Sequence, residues 1–500
     1  MKRRDFLTKT VTGAAAYGAL GGLPDAMVRA APNSAAAHET APLQTLEIVK
    51  RVIEVNGKPA NVLGLYRPDG QPGLVLDADT AFNVQLSSQI DQPTLIHWHG
   101  LTPPWDQDGV PDNPAAPIKP GENRAYNFHL GAGGTHWMHA HTLQEQSLLA
   151  APLIVRTAED KKRDEQEVVV LLHDFSFKTP EELLAGLRKP SDSTATPHDM
   201  TGMDMTGMDM GGMSHDAGGS GMAMGNASSM TGMDMPAMDI NDIDYDAYLA
   251  NDRTLDDPEV FQVEKGGRVR LRLINGAAAT AFTIDTGKLD AKLVAVDGQD
   301  VQPIPRMMFP VSMGQRLDIL LQIPKEGGTF PVLALREGAR ERTGVVLSTV
   351  GANISKVAPV GETAGPLVGL DLEMRLKPTS LPAERHIDKS FTLSLTGDMA
   401  KYSWGISGDP LTVFPGDRVE IAIRNGSMMS HPMHLHGHHF QVTQIEGRKV
   451  NGALRDTVLI PSLSQVSIVF DAHNPGRWPL HCHHLYHMVS GMMTYVGYEA

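Results

Sequence analysis

This chain of 500 residues contains a single cysteine, Cys482, few aromatic residues and no long apolar run. One cysteine excludes an intramolecular disulfide, so a hydrophobic core must hold the fold together. A membrane-spanning helix needs about 18 or more consecutive apolar residues, so the sequence predicts no membrane span. The net charge of −15 repels phosphate backbones and argues against nucleic acid as a partner. Against these absences stand 21 histidines and 26 methionines, and both residue types are metal ligands.

The first 30 residues predict an export signal. Basic residues near the N-terminus precede a weakly apolar Ala/Gly-rich stretch and small residues that end near Ala30. That order is typical of a signal peptide cleaved near Ala30. Arg3 and Arg4, followed by Phe6 and Leu7, resemble a twin-arginine signal, so we expect the twin-arginine machinery to export the chain to the periplasm. The alternative is a chance basic helix cap.

The rest of the chain predicts β-structure. Short runs of alternating or β-branched residues are separated by Gly, Pro, Asn and Asp, and amphipathic helical patterns are scarce. This spacing is typical of β-sandwich proteins. The predicted strands include residues 45–55, 81–86, 168–172, 269–274, 316–323, 391–395, 419–423 and 465–470.

A three-fold internal repeat predicts several copies of one module. Residues 413–425 align without a gap with residues 263–275, and a fainter copy occupies residues 76–86. Each copy predicts a strand, a tight turn and a second strand. We therefore predict an all-β fold of three consecutive β-sandwich domains, at residues 42–158, 165–352 and 386–500, with a linker at residues 353–385.

One stretch, residues 198–240, interrupts the second predicted domain and belongs to none of these modules. It contains twelve methionines, with Gly, Asp and Ser between them, and so cannot bury a core of its own. Thioether sulfur is soft and selects Cu(I), and alternating aspartates would attract a cation. A low-complexity linker is the alternative. The candidate Cu(I) ligands in this stretch are Met203, Met205, Met208, Met210, Met233 and Met235.

The most specific signal is a set of four His-x-His pairs. Residues two apart on a strand point to the same face, so each pair presents two imidazoles side by side. Eight histidines exceed the needs of one metal ion, so we expect several ions. The pairs are His97 and His99, His139 and His141, His434 and His436, and His481 and His483.

Cys482 lies between the two histidines of the fourth pair. If those histidines face one side of a strand, the cysteine faces the other, so one tripeptide would join two metal sites. A thiolate, two histidines and a weak axial methionine form the blue-copper electron-transfer set. A structural zinc site would not include a thioether, so copper is the expected metal. Candidate partners of Cys482 are His431, His487 and Met492.

These motifs, in this order, resemble the four copper motifs of the multicopper oxidases. They read HWHG from residue 97, WMHAH from 137, HPMHLHG from 431 and HCHHLYH from 481, followed by Met492. The resemblance covers essentially the whole chain after the signal, and it implies cupredoxin-like Greek-key domains and four copper ions. Carried over residue by residue, it implies a type 1 ion at His431, Cys482, His487 and Met492, a type 2 ion at His97 and His434, and two type 3 ions at His99, His139 and His483 and at His141, His436 and His481.

The resemblance also implies a reaction. A reduced substrate would give single electrons to the type 1 copper, Cys482 would carry them onward, and the other three ions would reduce dioxygen to two waters. These three ions would lie at the interface of the first and third predicted domains. Asp108 matches a carboxylate that helps to deliver protons in this family, although an aspartate before Gly109 could equally be a turn residue.

The methionine-rich stretch makes the chain similar to the periplasmic copper efflux oxidases, which oxidise Cu(I) to Cu(II). Met428 and Met429 are candidate contacts for Cu(I), but Ser427 stands where that group carries an aspartate, and Met488 where it carries a glutamate. The methionine-rich stretch also lies within the second predicted domain rather than after it. We expect a monomeric cuprous oxidase for copper tolerance, with phenols or diamines as secondary substrates. The alternatives are a laccase-type phenol oxidase and a non-catalytic copper-sequestering protein.

Overall fold

The computed structural model describes residues 41–189, 241–380 and 385–499. The predicted export signal and the candidate methionines of residues 198–240 lie outside these ranges. The described residues form six β-sheets with little helix. None of their helices is long and apolar enough to cross a membrane. The helical elements are α1 (Pro180–Leu187), α2 (Leu485–Val489) and four 3-10 turns at Trp105–Gln107, Leu143–Glu145, Asp160–Lys162 and Glu373–Arg375.

The first sandwich packs two four-stranded sheets around one core. Its strands are β1 (Gln44–Val55), β2 (Lys58–Tyr66), β3 (Leu74–Asp77), β4 (Ala81–Ser88), β5 (Ile96–His99), β6 (Asn123–His129), β7 (Gly134–Ala140) and β8 (Ala150–Arg156). The sheet orders are β2-β1-β4-β6 and β3-β8-β7-β5. Burial alternates along all of β4, so Phe82, Val84 and Leu86 enter the core between partly exposed neighbours, as a half-buried strand requires.

The second sandwich has a six-stranded and a five-stranded sheet. Its strands are β9 (Gln166–Phe175), β10 (Ala247–Ala250), β11 (Val260–Val263), β12 (Arg268–Asn275), β13 (Phe282–Asp285), β14 (Asp290–Val296), β15 (Gln299–Pro305), β16 (Met308–Val311), β17 (Arg316–Gln322), β18 (Thr329–Arg336) and β19 (Arg342–Thr349). The sheet orders are β10-β9-β12-β17-β14-β15 and β11-β19-β18-β13-β16.

The third sandwich contains the remaining twelve strands. They are β20 (Lys389–Asp398), β21 (Ser403–Gly408), β22 (Leu411–Val413), β23 (Arg418–Asn425), β24 (His431–Leu435), β25 (Phe440–Ile445), β26 (Arg448–Lys449), β27 (Leu454–Arg455), β28 (Thr457–Ile460), β29 (Gln465–Asp471), β30 (Arg477–Cys482) and β31 (Met493–Tyr498). One sheet has the order β21-β20-β23-β29-β25-β26, with β27 paired to β25, and the other has the order β22-β31-β30-β24-β28.

The prediction of an all-β fold of three sandwiches is confirmed, and every strand predicted above is present within a few residues. Each copy of the internal repeat is a strand, a turn and a strand, as predicted. The two strands of a copy lie in opposite sheets, however: β3 and β4, β11 and β12, and β22 and β23 each change sheet. The repeated turn therefore carries the chain across the core of its sandwich.

The second sandwich buries an outer face against the first. Alternate residues of β12 point into its own core, while Arg270 and Arg272 point away from it and are still buried. Arg272 donates to the Asp318 carboxylate at 2.9 Å and to the Thr135 hydroxyl on β7 at 3.0 Å. Buried charges must be paired in this way, and the pairing fixes the first two sandwiches against each other.

Both described borders of the methionine-rich stretch pack against the third sandwich. Helix α1 begins with a capping box, in which Thr179 and Glu182 satisfy each other's backbone N–H groups, and with Pro180 in the first turn. Its Leu183 and the later residue Ile243 are both buried in the core cluster that the third sandwich provides. The described residues on both sides of the methionine-rich stretch therefore pack on the third sandwich.

Candidate metal centres

Strand pairing brings the predicted histidine pairs together. In the first sandwich, the register of β5 and β7 places His97 opposite His139. In the third sandwich, the register of β24 and β30 places His434 opposite His481. The second histidine of a pair lies on the strand or immediately after its end, so each pair faces the space between the two sandwiches.

The eight histidines form one buried group, here called the histidine cluster. His97 Nε2 lies 3.4 Å from His434 Nε2, which brings the predicted type 2 pair together. His481 Nε2 lies 3.2 Å from His141 Nε2 and 2.9 Å from His436 Nε2, as one predicted type 3 set requires. In the other predicted type 3 set, the ring centroids of His99, His139 and His483 are 5.0 to 5.7 Å apart.

The electrostatics of the histidine cluster fit bound cations. Burial, followed by the neighbouring imidazoles, lowers the pKa of His141 and His436 well below the ordinary value, so these rings are neutral. Neutral rings direct ligand lone pairs at one another across about 3 Å, an arrangement that a shared metal ion relieves. Within the described structure, His139 Nε2 and both ring nitrogens of His483 also lack a hydrogen-bond partner. The donor set is therefore that of a metal site.

Asp108 is fully buried and touches the histidine cluster directly. His436 Nδ1 donates to its Oδ2 at 2.8 Å, and His97 Nδ1 lies 3.0 Å from its backbone carbonyl and 3.2 Å from its Oδ1, which has no hydrogen-bond partner among the described residues. A carboxylate that holds Nδ1–H leaves Nε2 of the same ring free for a metal. Asp108 closes the 3-10 turn at Trp105–Gln107, so it is a turn residue as well as a neighbour of the predicted ligands.

Two further carboxylates at the histidine cluster were not predicted from the sequence. Glu145 accepts from His139 Nδ1 at 2.8 Å, and its burial, with Asp174 nearby, raises its pKa well above the usual range. Asp456 lies 3.1 Å from His99 Nε2. Burial alone would raise the pKa of Asp456, but the Arg316 guanidinium, at 2.5 and 2.7 Å, holds it well below the usual value.

The second candidate centre is the cysteine group, made of His431, Cys482, His487 and Met492. Cys482 Sγ lies 3.6 Å from His431 Nδ1 and 3.8 Å from His487 Nδ1, and the two Nδ1 atoms are 3.1 Å apart. Met492 is fully buried, and its carbonyl accepts from the Cys482 backbone N–H. Burial raises the pKa of the Cys482 thiol, so a thiolate here needs an adjacent cation such as a copper ion.

The two centres are joined by one short segment of β30. His481 contacts the histidine cluster, and the next residue, Cys482, contacts the cysteine group instead. His483, one residue further, lies against His139 in the histidine cluster, with ring centroids 5.1 Å apart. The alternation expected of an extended chain therefore places three consecutive residues in two centres.

The outward-facing nitrogens of the cysteine group have polar partners. His431 Nε2 lies 2.7 Å from the Ser427 hydroxyl, and His487 Nε2 lies 2.9 Å from the Asp242 carboxylate. Asp242 also accepts from the Tyr402 hydroxyl. Asp242 was not predicted as a site residue, although it lies just after the methionine-rich stretch.

The predicted substrate methionines within the described residues lie beside Ser427. Met428 is 51% exposed, whereas Met429 is buried in the core of the third sandwich. The structure therefore exposes one of these two methionines, in the residue after Ser427, whose hydroxyl contacts His431. Met488, which follows His487, is also buried in that core.

Comparisons with known proteins agree with the motif order. Family models described as multicopper oxidase match residues 49–160, 169–352 and 377–499. The multicopper oxidase MmcO of Mycobacterium tuberculosis is 31% identical over 429 residues, which cover 83% of this chain and 79% of that protein. Copper resistance protein A of Pseudomonas syringae pv. tomato is 27% identical, and the alignment covers 100% of both chains.

Solved structures share the fold. The structure of Fet3p, a multicopper oxidase that functions in iron import, matches with a TM-score of 0.71 and 17% identity, and covers 92% of this chain and 91% of that one. A laccase from Botrytis aclada matches with a TM-score of 0.70 and 19% identity, covering 92% and 88%. Because these identities are so low, the matches show the fold alone. The three sandwiches are cupredoxin-like, as the resemblance of the motifs implied.

Proposed function

Because the chain belongs to the multicopper oxidase family, we propose that it couples one-electron oxidation of Cu(I) to four-electron reduction of dioxygen to water, for periplasmic copper tolerance. Four copper ions, one of type 1, one of type 2 and two of type 3, are its proposed cofactors. When bound, they supply the one-electron transfers and the reduction of dioxygen. The proposed ligands are those set out above for each ion.

The observation that carries the oxidase proposal is the position of Cys482. Its sulfur touches both histidines of the cysteine group, while His481 and His483 on either side belong to the histidine cluster. A protein that only sequesters copper has no need of a covalent path between two different centres. An oxidase needs one, because its electron donor and its dioxygen react at separate places.

The surroundings of the cysteine group support Cu(I) as the donor. A half-exposed thioether, Met428, follows Ser427, which touches one imidazole of the group, and the Asp242 carboxylate touches the other. Soft sulfur and an anionic oxygen are ligands that attract a cuprous ion. The proposed collecting stretch, residues 198–240, ends just before Asp242. Two relatives that are named copper resistance protein A fit the same substrate.

The chain's own carboxylates prepare the histidine cluster. Asp108, Glu145 and Asp456 each touch a ring nitrogen of a proposed ligand, so they fix which nitrogen faces the ions. Dioxygen reduction also consumes protons. Asp108 is the proposed source, since its Oδ2 accepts from His436 and its Oδ1, 3.2 Å from His97 Nδ1, has no hydrogen-bond partner among the described residues.

Deletion of residues 200–238 tests the substrate. Copper-loaded protein should lose most of its oxygen uptake with Cu(I) and keep or increase its uptake with a bulky phenol, because only the cuprous ion needs the thioethers. A full-length variant with the twelve methionines replaced by glutamine separates sulfur chemistry from chain length. Unchanged Cu(I) kinetics in both variants would refute the cuprous assignment and favour a laccase-type phenol oxidase.

The variant Cys482→Ser tests the oxidase against a copper-sequestering protein. We expect loss of the blue absorbance and of oxygen uptake together, and a drop in copper content from about four ions to about three. Cells carrying this variant should also lose copper tolerance. Full protection by the inactive variant would show that sequestration, rather than oxidation, is the function.

A further inference from the structure

A cavity of about 390 Å³ lies between the first and second sandwiches, and it includes none of the proposed copper ligands. Pockets for small molecules typically measure about 300 to 1,000 Å³ and combine apolar walls with a few polar groups. Leu74, Val75, Pro152, Ile154 and Leu171 supply the apolar walls.

His173, on β9, is a buried polar residue that lines this cavity. Its side chain is 3% exposed, and neither ring nitrogen has a hydrogen-bond partner among the described residues. A buried polar group without a partner costs free energy, so such a group points to a bound molecule. Burial lowers the pKa of His173 to about 4, and the neutral ring then offers one donor and one acceptor.

The charged residues around His173 already have partners. Arg51 donates two hydrogen bonds to Asp252, at 2.6 and 2.9 Å, and Arg253 donates to Asp257 at 2.6 Å. The Asn251 side-chain amide donates a hydrogen bond to a carboxylate oxygen of Glu259. An ionic ligand would have to compete with these partners for the same charged groups, so the cavity favours a neutral molecule.

We propose that this cavity is a binding site for a small neutral alcohol with a ring-sized apolar body. A hydroxyl can donate to, or accept from, whichever one of the two ring nitrogens of the neutral imidazole faces it. The apolar ring of the alcohol would shield the apolar walls of the cavity from water, and this burial is favourable in proportion to the area covered. The site is separate from the cysteine group, where the proposed electron donor reacts.

Benzyl alcohol is the probe for this site, and calorimetric titration of the full, copper-loaded chain is the measurement. We expect saturable binding of one molecule per chain. Toluene, which lacks the hydroxyl, should bind about tenfold more weakly, because a tenfold change in affinity corresponds to the free energy of about one hydrogen bond. His173→Leu should weaken benzyl alcohol by the same factor and leave toluene unchanged.

Val75→Trp is the blocking variant, because Val75 lines the cavity and is 45% exposed, so a larger side chain there should not disturb the core. It should abolish binding of both probes. Val52→Trp is the matched control, since Val52 is exposed and lines a neighbouring cavity that shares Arg51. Absence of saturable binding to the unmodified chain, or binding that survives Val75→Trp, would overturn the proposal; the first result would leave water as the occupant.

Discussion

The histidine cluster and the cysteine group are built from the same residue types in two different ways. The histidine cluster takes half of its side chains from the first sandwich and half from the third. The cysteine group takes all four from the third sandwich, within β24 and the segment from β30 to β31. The first centre therefore depends on how two sandwiches dock, and the second depends on the folding of one.

The polar side chains that contact the proposed ligands also differ between the two centres. Around the histidine cluster, Asp108, Glu145 and Asp456 are all buried, and one of them is paired with a buried arginine. Around the cysteine group, the polar partners are one hydroxyl, Ser427, and one carboxylate, Asp242, with an exposed methionine beside them. The polar partners are buried at both centres, but only the cysteine group has an exposed side chain, Met428, next in sequence to one of them, which suits an electron donor that must come and go.

The largest effect expected at the histidine cluster comes from Asp456→Asn. Arg316 is fully buried and would lose its closer anion, leaving only Asp297 at 3.6 Å to balance its positive charge. Loss of one partner of a buried ion pair typically costs about 3 to 5 kcal/mol. Denaturant unfolding should show this loss, and adding Arg316→Met should restore part of it. Equal stability of the single variant and the unmodified chain would contradict the view that this pair, which joins β17 of the second sandwich to the third sandwich, stabilises the fold beside the cluster.

Glu145→Gln should weaken one centre and spare the other. Its carboxylate holds His139 Nδ1, and removal of such a partner typically lowers metal affinity by about 10- to 100-fold. Copper retained against a chelator should fall by the ions of the histidine cluster, while the blue absorbance of the cysteine group stays. Loss of the blue absorbance as well would show that the two centres are not independent.

Asp242→Asn should alter the cysteine group, without loss of copper, and leave the histidine cluster unchanged. The amide keeps a contact to His487 Nε2 but removes the negative charge, so we expect a higher reduction potential at the cysteine group and about tenfold slower Cu(I) oxidation. Copper content should not change. Oxidation of a bulky phenol serves as the control, since it does not need a carboxylate to attract a cation.

Ser427→Ala should have the smallest effect. It removes one neutral hydrogen bond from His431, which is typically worth about 1 kcal/mol, or about fivefold in an equilibrium constant. We expect a small shift of the blue absorbance band and unchanged stability of the histidine cluster. An effect as large as that of Asp242→Asn would mean that charge is not what distinguishes the two outward-facing histidines.

The sequence predicted what is local. Alternation along strands such as β4 marks their buried faces, and the spacing of His481, Cys482 and His483 indicates two centres. Both rest on the two-residue period of extended chain.

The partners of the ligands could not be predicted, because they arise from contacts between distant parts of the chain. Asp456 reaches His99 from another sandwich, and Asp242 reaches His487 across about half of the sequence. Glu145 is nearer, four residues after His141, but nothing in its neighbourhood distinguishes it from a surface acid. The burial of Arg272 on the outer face of β12 likewise follows from docking and not from local pattern.

The docking of the first and third sandwiches through the histidine cluster also has a topological consequence. Two of its pairs end at His141 and the other two begin at His434, so metal ions bound between them would close the whole intervening chain into a ring. Cross-linking distant positions removes many conformations from the unfolded chain, and the effect grows with the length enclosed. Copper bound in this cluster would therefore cross-link the two ends of a loop that contains the entire second sandwich.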